Sequence, residues 1–177
     1  MCKFMKIDFR EIELGRSTYE FDVKPAEVDF KYPEISFDHN IRASVSTLAS
    51  GEEVIINGVV STIATAECYR CLRTVELPLR ANLRLIIQRT NVSGKADSGD
   101  DDFVVISKSE AQYDLAPHCR EVLLVELPYK ILCDINCKGL CPKCGTDLNC
   151  QECGCTTPKS GGQWEKLKDL IEYDTQK

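Results

Sequence analysis

The chain has 177 residues and a formal net charge of −6, with 22 basic and 28 acidic side chains. This length suffices for one domain with a hydrophobic core and a small additional module, but hardly for two full domains. The negative charge argues against a general nucleic-acid coat protein, because nonspecific binding depends on many Lys and Arg contacts with phosphates. No apolar run approaches the roughly 20 residues of a membrane helix, and the N-terminus lacks the apolar core of a signal peptide. We therefore expect a cytoplasmic protein with no membrane partner.

The first half of the chain is predicted to form antiparallel strands. Apolar and polar residues alternate at 7–14 and 19–23 around the turn signal "GRS", which indicates a hairpin or two loosely joined strands. The stretch 41–88 has the pattern of a three-stranded meander rich in Val, Ile and Thr. Its last strand carries four leucines that we expect to face inward, namely Leu77, Leu79, Leu83 and Leu85.

The second half is predicted to be mixed. The stretch "NVSGKADSGDDD" has no apolar period and predicts a flexible acidic loop near 91–102. A short strand, "FVVI", follows, and Asp114 is expected to cap a helix that ends before Pro128. Near the end of the chain four apolar residues recur at helical spacing and predict an amphipathic tail helix; they are Trp164, Leu167, Leu170 and Ile171. We expect this helix to dock on its own domain, and the alternative is a helix that binds a partner.

These elements together predict an α+β fold. We expect a largely antiparallel β-sheet, either a meander or barrel-like, with one helix packed on it. Residues 1–132 would form this sheet domain, and 133–177 would form a cysteine-rich zinc-binding module followed by the tail helix.

Cysteines are the most unusual feature of the composition. Seven of the eleven lie between Cys133 and Cys155, and a separate "CYRC" lies between two predicted long strands. In a reducing compartment such a cluster favours metal binding over disulfides, and an odd total fits poorly with full pairing. Zinc is satisfied by four thiolates that usually come as close pairs from two turns. The candidate ligands are Cys68, Cys71, Cys133, Cys137, Cys141, Cys144, Cys153 and Cys155.

Two zinc ions are therefore expected, and two groupings of the ligands remain open. In the first, Cys141, Cys144, Cys153 and Cys155 form a local site with little loop entropy, and the remaining four form a bridging site that clamps the C-terminal segment to the sheet. In the second, the "CYRC" pair shares one ion with the "CPKC" pair. Cys150 is a spare thiol that could replace Cys153, while Cys2 and Cys119 are expected to bind no metal.

Basic charge is concentrated in one stretch of this acidic chain. Between 68 and 95 there are five Arg and one Lys against the single acid Glu76, so the local net charge is +5. Arg80 and Arg84 share the outward face of a predicted strand, and Arg70 and Arg73 lie near its start. These four side chains could contact RNA phosphates, or they could form a solvated face with no partner.

Five stretches of the sequence resemble the YceD family. They are "ECYRCL", "YDLAPHCREVLLVELPYK", "CKGLCPKCGTDLN", the trailing "CGC" and "QWEKLKDL", in this order over about the last two-thirds of the chain. Members of that family are described as large-ribosomal-RNA-subunit accumulation proteins of bacteria and plastids. The resemblance implies a cytosolic factor in ribosome assembly or RNA stability, with large-subunit ribosomal RNA, a preribosomal particle or a ribosomal protein as its partner. It implies no catalytic residue.

The residues themselves also argue against an enzyme. Neither His39 nor His118 stands in the His-x-Glu context of a zinc deaminase, and the "CYRC" between strands does not begin a helix as a thiol oxidoreductase site would. We therefore expect a noncatalytic factor for ribosomal RNA accumulation. The alternative is a protein–protein adaptor whose zinc module makes no contact with RNA.

Overall fold

The computed structural model of the protein describes residues 5–12, 15–91 and 102–155. It contains eight strands in these ranges, namely β1 Lys6–Asp8, β2 Gly15–Val23, β3 Ile35–Ser36, β4 Ile41–Ser50, β5 Glu53–Glu67, β6 Thr74–Thr90, β7 Phe103–Ser107 and β8 Gln112–Asp114. A short 3-10 turn forms at Pro25–Glu27, and the one α-helix of the described residues, α1, spans Ala116–Val125. The fold is thus mainly sheet with one helix.

The predicted meander is confirmed. β4, β5 and β6 follow one another as antiparallel neighbours, and the β5–β6 ladder continues without interruption from Glu53 opposite Gln88 to Glu67 opposite Thr74. The inward leucines are confirmed as well: Leu79, Leu83 and Leu85 are buried, and Leu77 packs partly buried against the same core. The alternation of β-branched and polar residues was sufficient to find these strands because one face of the sheet is buried and the other is not.

The sheet is open, and its outer strands differ from expectation. The strand order is β2–β4–β5–β6–β7, so within the described residues the sheet does not close into a barrel. Of the two N-terminal alternatives, the hairpin is wrong, because β1 pairs with β8 and β2 pairs with β4. The stretch instead forms two strands that do not pair with each other. β7 lies parallel to the end of β6, where Phe103 is opposite Ile86. Residues 91–102 connect these two strands, and a parallel pair needs a connection of about a dozen residues.

The helix covers the buried face of the long hairpin. α1 packs against β5 and β6 and buries Cys119 and Leu123, as expected for the apolar stripe of an amphipathic helix. The N-cap assignment was one residue early: Leu115 is the cap residue, and Asp114 at the end of β8 accepts a hydrogen bond from the Ala116 N–H at 2.9 Å. The Asp114 carboxylate still satisfies a free donor of the first turn.

One edge of the long hairpin lacks a neighbouring strand. β7 pairs only with 86–90 of β6, so the stretch 74–85 has no strand partner on that side among the described residues. Pro78 lies in this stretch, opposite Ile63 of β5. Proline cannot donate to a backbone ladder and is therefore tolerated at sheet edges.

Two predicted features lie outside the described residues: most of the acidic loop at 91–102 and the tail helix at 164–171. Among the residues the structure describes, no helix has the length and apolar character needed to cross a membrane.

Candidate metal centres and basic surface

The "CYRC" pair lies in a tight turn between β5 and β6, which we call the Cys68 knuckle (68–73). The Cys68 N–H donates to the Arg73 carbonyl at 2.8 Å, and the Leu72 N–H donates back to the Cys68 carbonyl at 2.9 Å. Leu72 has φ of +58°, in the left-handed region that non-glycine residues rarely adopt. The two hydrogen bonds thus fix a turn in which both cysteines can point to one side.

The "CPKCG" stretch repeats this turn, and we call it the Cys141 knuckle (141–146). The Cys141 N–H donates to the Thr146 carbonyl at 2.8 Å, and the Gly145 N–H donates to the Cys141 carbonyl at 2.9 Å. Gly145 occupies the position equivalent to Leu72 and has φ of +73°. Glycine adopts this conformation without steric cost.

The structure gathers four cysteines from distant parts of the chain into the bridging cluster, which consists of Cys68, Cys71, Cys133 and Cys137. Their Sγ atoms lie within 4.8 Å of one another, with 3.9 Å between Cys68 and Cys137 and 3.5 Å between Cys71 and Cys133. A tetrahedral zinc site with Zn–S bonds of about 2.3 Å has S–S edges of about 3.8 Å. Three of the four residues are buried, so the cluster is largely shielded from solvent.

A second group, the local cluster, consists of Cys141, Cys144, Cys153 and Cys155. Its Sγ atoms also lie within 4.8 Å of one another, but only Cys141 is buried. The alternative grouping of the "CYRC" and "CPKC" pairs in one site is not formed. Each cluster could therefore hold one metal ion.

The three other cysteines stand apart from these ligand sets. Cys150 is exposed and lies 3.6 Å from an Asp147 carboxylate oxygen, and Cys119 is buried in the helix core. Burial, and to a smaller extent the charge of Asp114, raise the pKa of Cys119 to about 12, which makes it a neutral apolar side chain. Cys2 lies outside the described residues.

The surroundings of the clusters polarise the thiols. Burial opposes the Cys68 thiolate, but backbone N–H donors of Cys133, Cys71 and Arg70 outweigh it and lower its pKa to about 6. The Thr146 hydroxyl and N–H lower the pKa of Cys144 to about 6 in the same way. Neighbouring sulfurs raise the pKa of Cys133 to about 12, because several thiolates so close together repel one another. A divalent cation would relieve this repulsion.

Backbone contacts clamp the Cys68 knuckle to the C-terminal segment. The Tyr69 N–H donates to the Ile131 carbonyl at 2.9 Å, and the Leu140 N–H donates to the Arg70 carbonyl at 3.0 Å. Gly139 makes this approach possible, because a Cβ there would lie 2.9 Å from the Arg70 carbonyl oxygen. The Arg70 guanidinium also contacts the C-terminal segment and donates a hydrogen bond to the Cys137 carbonyl at 2.7 Å.

A polar network joins the two clusters through residues that the sequence reasoning missed. Arg73 forms an ion pair with Asp147 at 3.2 Å, and Asp147 accepts hydrogen bonds from the backbone and side-chain amides of Asn149, which together lower its pKa. The Asn149 Nδ2 also donates to the Cys137 Sγ at 3.4 Å. The loop between two local ligands thus supports a bridging ligand. The sequence signal for Asp147 and Asn149 is the stretch "GTDLN", in which Asp and Asn are turn formers.

The four predicted RNA-contacting arginines fall into two pairs. Arg70 and Arg73 are hydrogen-bonded into the C-terminal segment, as described above. Arg80 and Arg84 lie on the exposed face of β6, opposite Ser61 and Asn57 of β5, and neither forms an ion pair among the described residues.

The β2–β4 half of the same sheet face is different. There Arg42 pairs with Asp22, and the Ser44 hydroxyl donates to Glu20. Arg16 of β2 also lies on this face without an ion pair among the described residues. The β2–β4 half thus holds one paired and one unpaired arginine beside its acids, whereas both arginines of β6 are unpaired within the described residues.

Comparison with known proteins finds relatives that are similar to most of this chain. Similar proteins include the "Large ribosomal RNA subunit accumulation protein YCED homolog 1, chloroplastic" of Arabidopsis thaliana, 24% identical over 161 residues, which cover 77% of this chain and 50% of that protein. The protein of the same name from Zea mays is 25% identical over 142 residues, or 66% of this chain and 48% of its own. An uncharacterized protein of Mycobacterium leprae is 26% identical over 149 residues, which cover 84% of this chain and 67% of that protein.

The matched part of this chain thus spans about half the length of the plant relatives. No solved structure matches the chain. The family model described as "Large ribosomal RNA subunit accumulation protein YceD" matches residues 56–171, which is more than half of the chain and includes both thiol clusters. The chain therefore belongs to the YceD family.

Proposed function

We propose that this protein is a noncatalytic factor that supports the accumulation of large-subunit ribosomal RNA by binding RNA or a preribosomal particle. The family carries this role in its name. The observation that carries the RNA contact is the pair Arg80 and Arg84, whose guanidinium groups project from an exposed sheet face without an acidic partner in the described residues. Phosphate oxygens are the natural ligands of such groups.

We further propose that each thiol cluster binds zinc with a structural role. Four thiolates match the preferred donor set of zinc and leave no coordination position for water or substrate. Zinc would hold the knuckles and the C-terminal segment in place, and the polarised thiols described above would release their protons on binding. This role requires a reducing compartment, because oxidised cysteines cannot act as ligands.

Charge reversal on β6 tests the RNA contact. The double variant Arg80→Glu/Arg84→Glu should lose co-sedimentation with large-subunit precursor particles, and its thermal stability should stay within a few degrees of the parent. The matched control is Arg16→Glu/Arg42→Glu, which makes the same charge change on the β2–β4 half of the same face. Removal of two phosphate contacts should also reduce the slope of log affinity against log salt by about 1.5.

Crosslinking to ribosomal RNA distinguishes the adaptor alternative. If the double variant binds particles as the parent does, the β6 surface is not the contact. If the parent binds particles but crosslinks only to proteins, the protein is an adaptor without RNA contact. Tyr129 and Ile135 are exposed apolar residues of the segment that leads into the bridging cluster, and they are the structural feature that favours that second function.

A further inference from the structure

An apolar groove lies beside the Cys68 knuckle, at the end of the β5–β6 hairpin that carries this knuckle. It has a volume of about 1120 Å³ and is lined chiefly by Tyr32, Ile35, Ala66, Tyr69, Leu72 and Ile131. Tyr69 and Leu72 are each 58% exposed. Pockets for small ligands are about 300–1,000 Å³ in volume and largely enclose them. This groove is larger and is walled by exposed side chains, so it suits a segment of polypeptide.

Leu72 gives independent support for an occupant. Its left-handed backbone conformation is unfavourable for a residue with a Cβ, and its side chain is mostly exposed. The same position of the Cys141 knuckle holds Gly145, which meets the backbone requirement without that cost. An exposed leucine in a strained position is explained if its side chain contacts something that covers the groove.

The charge of the groove indicates the character of that occupant. Glu34 and Glu67 are the ionisable side chains of its lining apart from the thiol and phenol groups, and no Lys or Arg contributes. A complementary segment should therefore offer apolar side chains flanked by positive charge.

We propose that the groove is the docking site for the C-terminal segment of this same chain, 156–177. This segment carries Trp164, Leu167, Leu170 and Ile171 at a spacing that places them on one face of a helix. Glu165, Lys166, Lys168 and Asp169 lie between them. In a helix the two lysines would flank the apolar stripe and could meet the acidic rim, whereas the two acids would lie on the opposite face. The family match extends to residue 171, the last residue of this apolar stripe, so the stripe belongs to the family's common unit.

The chain can reach the groove from where the described residues end. The Cys155 Sγ lies within 4.8 Å of the Cys141 Sγ. Leu140 directly precedes Cys141, and its N–H donates a hydrogen bond to the Arg70 carbonyl in the Cys68 knuckle. Arg70 follows Tyr69, which lines the groove. Residues 156–163 can span at most about 26 Å when extended. Since one knuckle separates Cys155 from the groove, this length is sufficient.

The single tryptophan makes docking directly measurable, because Trp164 is the only one in the chain. In the full-length zinc-loaded protein we expect a blue-shifted Trp164 emission that is poorly quenched by acrylamide. The groove variant Tyr69→Ser/Leu72→Ser should shift the emission to the red and raise the quenching constant several-fold. The matched control, Leu48→Ser/Val125→Ser, removes exposed apolar side chains elsewhere and should leave both values unchanged.

A second variant separates docking from folding. Leu167→Ser/Leu170→Ser leaves the knuckle intact and should produce the same red shift with unchanged zinc content. A parent emission that is already red and fully quenched would overturn the proposal, as would a blue emission that the groove variant does not change. A blue shift that disappears on dilution would assign the groove to the segment of a second copy, and it would equally overturn docking within one chain. None of these outcomes depends on RNA binding.

Discussion

The two thiol clusters use the same turn for different purposes. Both knuckles close with a pair of hydrogen bonds between the first cysteine and residues four and five positions later, yet one cluster is buried and the other mostly exposed. The bridging cluster joins residues 62 and 69 positions apart, whereas all four local ligands fall between Cys141 and Cys155. A knuckle by itself therefore does not determine what its metal would stabilise; the origin of the second pair of ligands does.

This difference has a thermodynamic side. In an unfolded chain, closing a loop of the bridging length costs about 1.5–2 kcal/mol more than closing the short local loop. The folded sheet domain removes much of that cost, because β7 pairs with β6 and α1 packs on β5 and β6, so most of the chain between Cys71 and Cys133 is already ordered. We therefore expect the local cluster to bind metal in a short peptide, and the bridging cluster to bind it only when the sheet is folded.

Removal of each cluster in turn should give the largest difference between the two sites, both in zinc content and in the part of the chain that is released. Cys68→Ser/Cys71→Ser should release the segment after Leu132 from the sheet while the local ion stays bound. Cys144→Ser/Cys153→Ser should leave that clamp intact. Apparent zinc binding in structural sites is worth about 10–16 kcal/mol at pH 7, so either loss is large for the part it holds. Elemental analysis should find about two ions in the parent and about one in each variant.

Limited proteolysis then shows which part was released. New cleavage near 128–135 is expected for the bridging variant alone. If that variant keeps two ions, or if the parent carries one, the grouping of ligands is wrong.

Asn149 tests whether the clusters are coupled. Asn149→Ala removes the donor to the Cys137 sulfur, and loss of such outer contacts typically weakens metal binding 10- to 100-fold. Chelator competition should show this loss at the bridging site with little change at the local site. Asn136→Ala is the control, since Asn136 lies between two bridging ligands in sequence but its side chain has no described contact with sulfur. Equal weakening by both variants would contradict a specific role for Asn149.

Substitution of Gly145 and Leu72, which occupy equivalent positions in the two knuckles, should have a smaller effect on stability. Gly145→Leu should destabilise the local knuckle by about 1–2 kcal/mol for conformational reasons alone, since a Cβ there meets no other atom within 4 Å. Leu72→Gly relieves the strain in the bridging knuckle, so it should cost less than Leu72→Ala, which loses the same side-chain contacts and keeps the strain. Denaturant unfolding with zinc held in excess measures both. A destabilising Leu72→Gly would mean that the leucine contributes contacts worth more than its backbone strain.

The smallest effect is expected from the Arg73–Asp147 ion pair. Both side chains are partly exposed, so Arg73→Gln should cost only about 0.2–1 kcal/mol and the cost should fall in high salt. Arg70→Gln should cost more at any salt concentration, because Arg70 donates to a backbone carbonyl of the clamp. Thermal unfolding at two salt concentrations distinguishes the two variants.

The sequence predicted some parts of this fold well because their determinants are local. Alternation along β6 identified its buried leucines, and short loops favoured the grouping of cysteines that the structure shows. The pairing of β1 with β8 could not be predicted, because it joins residues more than a hundred positions apart and β1 has only three residues.

The side chains of the site show the same limit. Arg70 and Arg84 look alike in sequence, yet Arg70 donates to the Cys137 carbonyl, whereas Arg84 has no ion pair in the part of the chain that the structure describes. Only the tertiary fold places an acceptor beside Arg70. Asp147 and Asn149 were missed for the same reason. Their role depends on a sulfur from the other cluster.

The proline in the unpaired edge of β6 has a consequence for solution behaviour. Within the described residues, a dozen residues of this edge have no strand partner, and such an edge is a template onto which a strand of another molecule could add. Pro78 lacks the N–H that such an added strand would need near the middle of this stretch, and the exposed Arg80 and Arg84 place charge beside it. These residues thus protect the protein from edge-to-edge aggregation. Pro78→Val should lower the concentration at which the protein aggregates, even though valine suits a β-strand better.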